Sequence, residues 1–326
     1  MMSSKDKTIQ QLKKLDLSPI KLTENKYHLY ADYIELISFF SSGQVSPNDI
    51  LDKFRKEDIV INTANSITSF GVGIDKYEVE DKNELWIKDV FSICQKRNQI
   101  LESVYPYSIK DDFIELKDNL DERQKLYLFL LLSSNLNYFP DIESYLTTDF
   151  ETVSFYSLKQ FLPSNSIVKQ FGKKSDYVGN AQEKIKSLGK DLNVFINEIE
   201  INRNVNGTQE RGLDIIGWIP FKDFIPNMIV IYGQCACGKE WYKKQGETRR
   251  YENSYFPLLK HRPINTMFIP FALIENENFI FQSDEVDCLL FERFRILEYL
   301  PNPTFYKDLE AKLIIDECLS FTATFI

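Results

Sequence analysis

Near residue 212 the chain changes its apolar periodicity, and this change limits what it can fold into. Upstream, apolar residues recur at three- and four-residue intervals. From that point "GLDIIGWIPF" and "NMIVIYGQCA" are β-rich runs joined by the turn-like "KDFIP". Two such runs in succession read as a hairpin, so the C-terminal half must contain a sheet. A further strand is expected at "NTMFIPFALI", and helices at "DCLLFERFRILEYL" and "YKDLEAKLIIDECL".

The upstream part is predominantly helical. "HLYADYIELISFFSS" and "NELWIKDVFSICQKRNQILESVY" carry helical spacing, with "SSGQVSPND" a loop and Pro47 opening the next helix. "YPYSIKDDFIELK" reads as a small hairpin and "ERQKLYLFLLLSSNLNYF" as a buried helix. A second region starts near "LTTDFETVSFYSLKQFLP". There Thr147 or Thr148 is expected to cap a helix holding Phe150, Val153, Leu158 and Phe161 until Pro163 stops it. Another helix is expected in "YVGNAQEKIKSLGKDLN". The expected division is a helical regulatory or recognition region over 1–140 and an α/β or α+β unit over 141–326.

Charge and cysteine content narrow the function classes. A net charge of −9 argues against a protein coated in basic charge, so any nucleic-acid contact requires a local patch. Five cysteines, Cys94, Cys235, Cys237, Cys288 and Cys318, form no even disulfide framework, which points to a reducing cytoplasm. The first residues carry charges throughout and lack the apolar core of a signal peptide. The run "LYLFLLL" is far shorter than the ~20 residues of a membrane span.

Three chemistries compete for "VIYGQCACGKEW", residues 230–241. As a phosphate-binding loop it offers Gly233, Gly238 and Lys239, but Glu240 stands where a magnesium-binding hydroxyl belongs. "KLIIDE", with Asp316 and Glu317, would be the matching acidic strand of an ATPase. As a thiolate metal site it offers Cys235 and Cys237, with His261 a third ligand, although two cysteines on one strand face also suit packing under a helix. The third chemistry begins from Asp214, a carboxylate inside the apolar run "GLDIIGW", and Gln234, a polar side chain inside the next run. Buried polar groups on neighbouring strands, followed by a lysine, suit a divalent metal beside a scissile phosphate.

"GLDIIGW" followed by "GQCACGKEW", with "DFETVSFYSLKQFL" ahead of them, resembles the PD-(D/E)xK nucleases in their Gln-containing variant. The resemblance spans roughly residues 147 to 274. It implies a restriction-endonuclease-like core, a central mixed sheet flanked by helices, that hydrolyses DNA with Mg²⁺ or Mn²⁺. It further implies Asp214 as a metal ligand, Gln234 at the second acidic position, Glu151 as the helix carboxylate and the Cys235 carbonyl facing the metal. The family's lysine falls at Ala236, so Lys239 would have to substitute, with Lys243 a weaker choice. Glu183 competes with Glu151, while Arg211 or Lys222 offers Asp214 a plain ion pair. The window from Lys239 to Arg262 is the most basic in the chain, and Lys243, Lys244, Arg249 and Arg250 are its candidate DNA contacts.

The leading expectation is therefore a metal-dependent DNA endonuclease, and the resemblance alone implies a role in bacterial defence against foreign DNA. A homodimer, or a larger complex with an ATPase or sensor subunit, would bring two sites to a duplex. A catalytically inactive nuclease fold that binds DNA or a protein, and a P-loop-like ATPase, are the other readings.

Overall fold

The computed structural model describes residues 12, 27–41, 43–56, 76–110, 112–205, 212–223, 225–257, 261–275, 278–279 and 285–320. The chain forms two compact units, one of residues 1–143, 271–280 and 303–326, the other of 144–270 and 281–302. This division differs from a single cut at residue 140, because two C-terminal segments belong to the first unit.

The first unit contains helices α1 (Tyr27–Phe40), α2 (Pro47–Lys56), α3 (Lys76–Leu101) and α4 (Glu122–Ser133) and a hairpin of β1 (Tyr107–Lys110) and β2 (Phe113–Leu116), with α1 against β2 and α3 against β1. The expected hairpin is thus present. Its tight turn places Asp112 at φ 66°, a left-handed conformation that Asp tolerates better than most residues. The buried helix starts where its sequence dictates. Asp121 accepts from the Gln124 backbone N–H, and the Gln124 side chain accepts from the Asp121 N–H, a reciprocal cap. Everything from Leu126 to Ser133 is then buried.

A network of buried charges sits inside this unit. Arg97 reaches Asp32 at 2.7 Å and Glu35 at 2.8 Å, and donates to the His28 carbonyl at 3.0 Å. The Tyr105 and Tyr127 hydroxyls donate to Glu35, and Ser134 donates to Asp32. Burial alone would push the guanidinium down, but the Glu35 and Asp32 carboxylates more than offset it and hold it well above its ordinary value.

The second unit is built on a five-stranded mixed sheet in the order β3 (Ile167–Gln170), β4 (Ile215–Trp218), β5 (Val230–Cys235), β6 (Ile264–Phe268), β9 (Leu289–Phe291). β4 runs antiparallel to β3 and β5, while β5, β6 and β9 are parallel. The expected hairpin is β4–β5, with Ile215 opposite Gly233. β7 (Ile274–Glu275) and β8 (Asn278–Phe279) form a separate small hairpin in the first unit.

Helices cover both faces of the sheet. α5 (Glu143–Phe161) lies on one, where Gly217 makes room for it: a Cβ there would stand 2.9 Å from Leu162 and 3.4 Å from Leu158. α6 (Ala181–Asp191), α7 (Glu198–Asn204) and the turn at Tyr251–Tyr255 lie on the other, over a core that includes Ile216, Trp218, Val230 and Tyr232.

Two expectations change. α5 begins at Glu143, ahead of Thr147 and Thr148, whose hydroxyls donate back to the Ser144 carbonyl within the helix instead of capping it. "DCLLFERFRILEYL" splits: Leu289–Phe291 pairs with β6 as a strand, and Glu292 caps the short α8 (Arg293–Glu298) by accepting from the Phe294 and Arg295 N–H groups. Sheet pairing overrides the helical preference of that segment. The last helix, α9 (Glu310–Leu319), lies where expected. Among the described residues no helix is long and apolar enough to cross a membrane.

Candidate functional site

The ends of β3, β4 and β5 and one turn of α5 meet at Asp214. Its backbone is fixed from both sides: the carbonyl accepts from the Phe171 and Gly172 N–H groups at 2.7 and 3.0 Å, and its own N–H donates to the Gly233 carbonyl at 2.9 Å. The preceding Leu213 enters the core under α6 and α7, while the Asp214 carboxylate turns toward α5. There Oδ2 accepts from the Cys235 N–H at 2.7 Å. On α5, Glu151 is 9% exposed, and its Oε2 accepts from the Lys173 N–H at 2.9 Å.

The two carboxylates converge over Gly172. A Cβ on that residue would stand 2.6 Å from Glu151 Oε2 and 3.1 Å from Asp214 Oδ1. Only a residue without a side chain leaves both oxygens where they are. Asp214 and Glu151, placed together by the sequence argument, are thus neighbours in space. Glu183 is spent elsewhere, on the reciprocal cap of α6 with Asn180.

Strand alternation decides which β5 side chains join them. Gly233 and Cys235 face α5, whereas Tyr232 and Gln234 leave on the opposite face. The Gln234 amide donates to Glu247 at 2.6 Å. Cys235 ends β5 beside the carboxylates, and Cys237 follows just beyond the strand, so the two do not share a strand face as expected. Burial pushes the Cys235 thiol well above its usual range, and the Asp214 and Glu151 carboxylates push it further, against a smaller opposing effect of the Ser154 hydroxyl. Cys237 is also pushed up, first by burial and then by Glu151; Lys173 and Lys244 pull it the other way, and Asp214 adds to the rise. Both shifts favour the neutral thiol over the thiolate.

The remaining candidates separate by their partners. Lys239 is buried, 7% exposed, in the turn after β5. Lys243 pairs with Glu240, Arg249 pairs with Asp287 at 2.8 Å, and Arg250 donates to the Glu247 carbonyl at 2.9 Å. Lys244 is exposed and forms no ion pair with a described residue. Arg211 lies outside the described residues. After Cys235 the chain enters a turn and a short 3₁₀ segment, Trp241–Lys244, in place of the long helix that a phosphate-binding loop opens. Asp316 lies on α9 in the first unit, bound to Lys125 at 2.7 Å and Lys312 at 2.8 Å, so the strand expected of an ATPase is absent there.

Sequence reasoning missed Gly172, Lys173 and Cys237 as parts of this cluster. The available signal was "IVKQFGKK", a short β-compatible run leading into a glycine and two lysines within an otherwise helical stretch of sequence. Among the described residues no group of three or more His, Cys, Asp or Glu side chains is arranged to hold a metal ion. No protein-family model, curated protein or solved structure significantly matches the chain.

Proposed function

We propose that the second unit is a metal-dependent phosphodiesterase acting on DNA, with Glu151 and Asp214 as its ion-holding residues. The observation that carries this reading is the meeting of the two carboxylates over Gly172. The donor set fits the ion. Mg²⁺ is commonly bound by one or two carboxylates, with water and substrate phosphate completing its shell. When bound, such an ion polarises a phosphoryl oxygen and lowers the pKa of a water. The chain's own part is positioning: the Cys235 and Lys173 N–H groups fix one oxygen of each carboxylate. Further support is the order of elements, a helix bearing the glutamate followed by a three-stranded antiparallel run with Asp214 at its central strand. Cleavage of both strands of a duplex would call for two such sites, hence a second copy or a larger complex.

The test is direct. Supercoiled plasmid should be nicked or linearised with Mg²⁺ or Mn²⁺ and stay intact with EDTA, and Mn²⁺ should bind the protein as read by electron paramagnetic resonance. Failure of both by the unmodified protein would sink the proposal.

One observation favours an inactive nuclease fold that binds without cutting. The side chains next to the carboxylates at the end of β5 and just beyond it are Cys235 and Cys237, so neither an acid nor a lysine stands at those two positions. Cys237→Lys discriminates between the two readings. It adds an ammonium beside Glu151 and Asp214, where a preorganised charge on a developing anion is worth roughly 10²-fold. A weakly active site should gain about tenfold or more in cleavage rate. No change in a protein that still binds DNA would leave the binding-only reading standing.

A further inference from the structure

We propose that the open edge of β3 and the apolar cleft beside it form a docking site for an extended segment of a partner protein, apolar and acidic by turns. This goes beyond the phosphodiesterase reading and does not depend on it. β3 and β9 are the outer strands of the sheet, and an outer strand presents backbone groups that another chain can pair with unless they are covered. On β9 the Leu290 carbonyl is covered, because Arg295 donates to it at 2.7 Å. On β3 the cover stops short. Asp176 takes up Gln170 alone: its carboxylate accepts the Gln170 N–H at 2.7 Å, and its own N–H donates to the Gln170 carbonyl at 2.9 Å. Alternation along an antiparallel strand turns the Val168 backbone the same way as that of Gln170, so its N–H and carbonyl point away from β4. Neither group is bonded to a described residue.

The cleft borders this open edge. Ile167 begins β3, Trp218 ends β4 and Val230 begins β5, so this is the end of the sheet away from Asp214. A cavity of about 410 Å³ there has Ile167, Lys169, Trp218, Phe221, Ile225 and Met228 in its lining, a volume within the range of ligand clefts. Ile167, Phe221, Ile225 and Ile229 are between 39% and 63% exposed, and apolar side chains grouped in this way mark an interaction surface. Charge on the rim selects the occupant. Lys169 is paired with Asp191 at 2.6 Å, and Asp223 accepts from the Ile225 N–H of its own turn at 2.9 Å. Lys190 and Lys222 are exposed, and neither forms an ion pair with a described residue. Two lysines alone would also suit a nucleic acid, but a phosphate backbone fills neither an apolar cleft nor the hydrogen-bonding edge at Val168. A peptide strand meets all three demands. Its main chain pairs with Val168, alternate side chains enter the cleft, and acids between them reach Lys190 and Lys222.

The experiment selects random dodecapeptides displayed on phage against the full chain, then measures binding of the enriched peptides, fluorescein-labelled, by anisotropy. These peptides should carry apolar residues at alternate positions with Asp or Glu between them. Phe221→Ser, and Lys190→Glu combined with Lys222→Glu, should each weaken their binding about tenfold or more, as loss of an apolar anchor and reversal of complementary charge do. All three positions are exposed, so these variants keep the fold. Val168→Pro removes the edge donor from an outer strand, where proline is tolerated, and should weaken binding as well. Lys186→Ala, which removes a surface partner of Glu198, is the control and should bind like the unmodified protein. The proposal is overturned if no peptide is enriched, if the enriched peptides lack acids, or if the Phe221 and lysine variants bind them unchanged. It is equally overturned if light scattering finds a dimer that Phe221→Ser converts to a monomer, since the occupant is then a second copy of the chain.

Discussion

Arg97→Ala should cost the first unit about 3–5 kcal/mol, the usual penalty for leaving buried charge without its partner. Asp32 and Glu35 are both 0% exposed, so neither carboxylate can turn to water once the guanidinium is gone. The Tyr105, Tyr127 and Ser134 hydroxyls would still donate to them. Those bonds are dipolar and cannot neutralise two negative charges in a dry interior. Native-state hydrogen exchange is the suitable readout, because it reports each segment separately. Amides of α1 should lose protection by the stated amount while those of β4 and β5 keep theirs. A loss of less than about 1 kcal/mol in α1 would show that the network contributes little. A triple change of Arg97, Asp32 and Glu35 to apolar residues of similar volume should be milder than Arg97→Ala, since it also removes the desolvation cost.

Asp214→Ala should lower DNA cleavage by about 10² to 10³-fold, the scale on which one preorganised catalytic group counts. The carboxylate has two separable duties. One oxygen holds the Cys235 N–H, and the other faces Glu151 over Gly172. Asp214→Asn keeps an acceptor for the N–H and removes the charge, so it should fold normally and still lose cleavage. Gly172→Ala approaches the same oxygens from below. Its methyl group would sit 2.6 Å from Glu151 Oε2, the end of a flexible side chain, so the carboxylate must move and release the Lys173 N–H. Because the atom that must move ends a flexible side chain, the fold should survive the change, and the displaced Glu151 carboxylate should weaken Mn²⁺ binding together with cleavage. Cleavage that survives both Asp214→Asn and Gly172→Ala would place the chemistry elsewhere.

The sequence was readable where one residue type had one reason to be there. Asp214 inside "GLDIIGW" was conspicuous because an acid within an apolar run needs a partner. Glu151 was separable from other helix glutamates only by the buried Phe150 beside it, and Phe150 is indeed 0% exposed. The β4–β5 hairpin and the buried helix α4 were likewise legible, since local patterning and tertiary packing agree in both. Gln234 was as conspicuous as Asp214, yet its direction depends on the parity of β5, and one residue of register separates the two faces of the sheet. Spacing alone did not reveal that Cys235, rather than Gln234, lies beside Asp214. β3 was missed because four residues with a lysine and a glutamine among them carry little apolar signal. Its pairing with β4 supplies what the sequence lacks. Gly172 owes its role to the approach of two distant side chains, which local sequence does not encode.

The return of residues 303–326 to the first unit sets an order of completion during synthesis. Domains generally fold as units as the chain emerges. All segments of the unit that carries Asp214 and Glu151 have been made by residue 302, whereas the first unit still lacks α9 and the Asp316 partner of Lys125. The half of the protein translated first is thus the half finished last. A nascent chain stopped near residue 302 would hold the whole carboxylate site before the helical unit could close its own core.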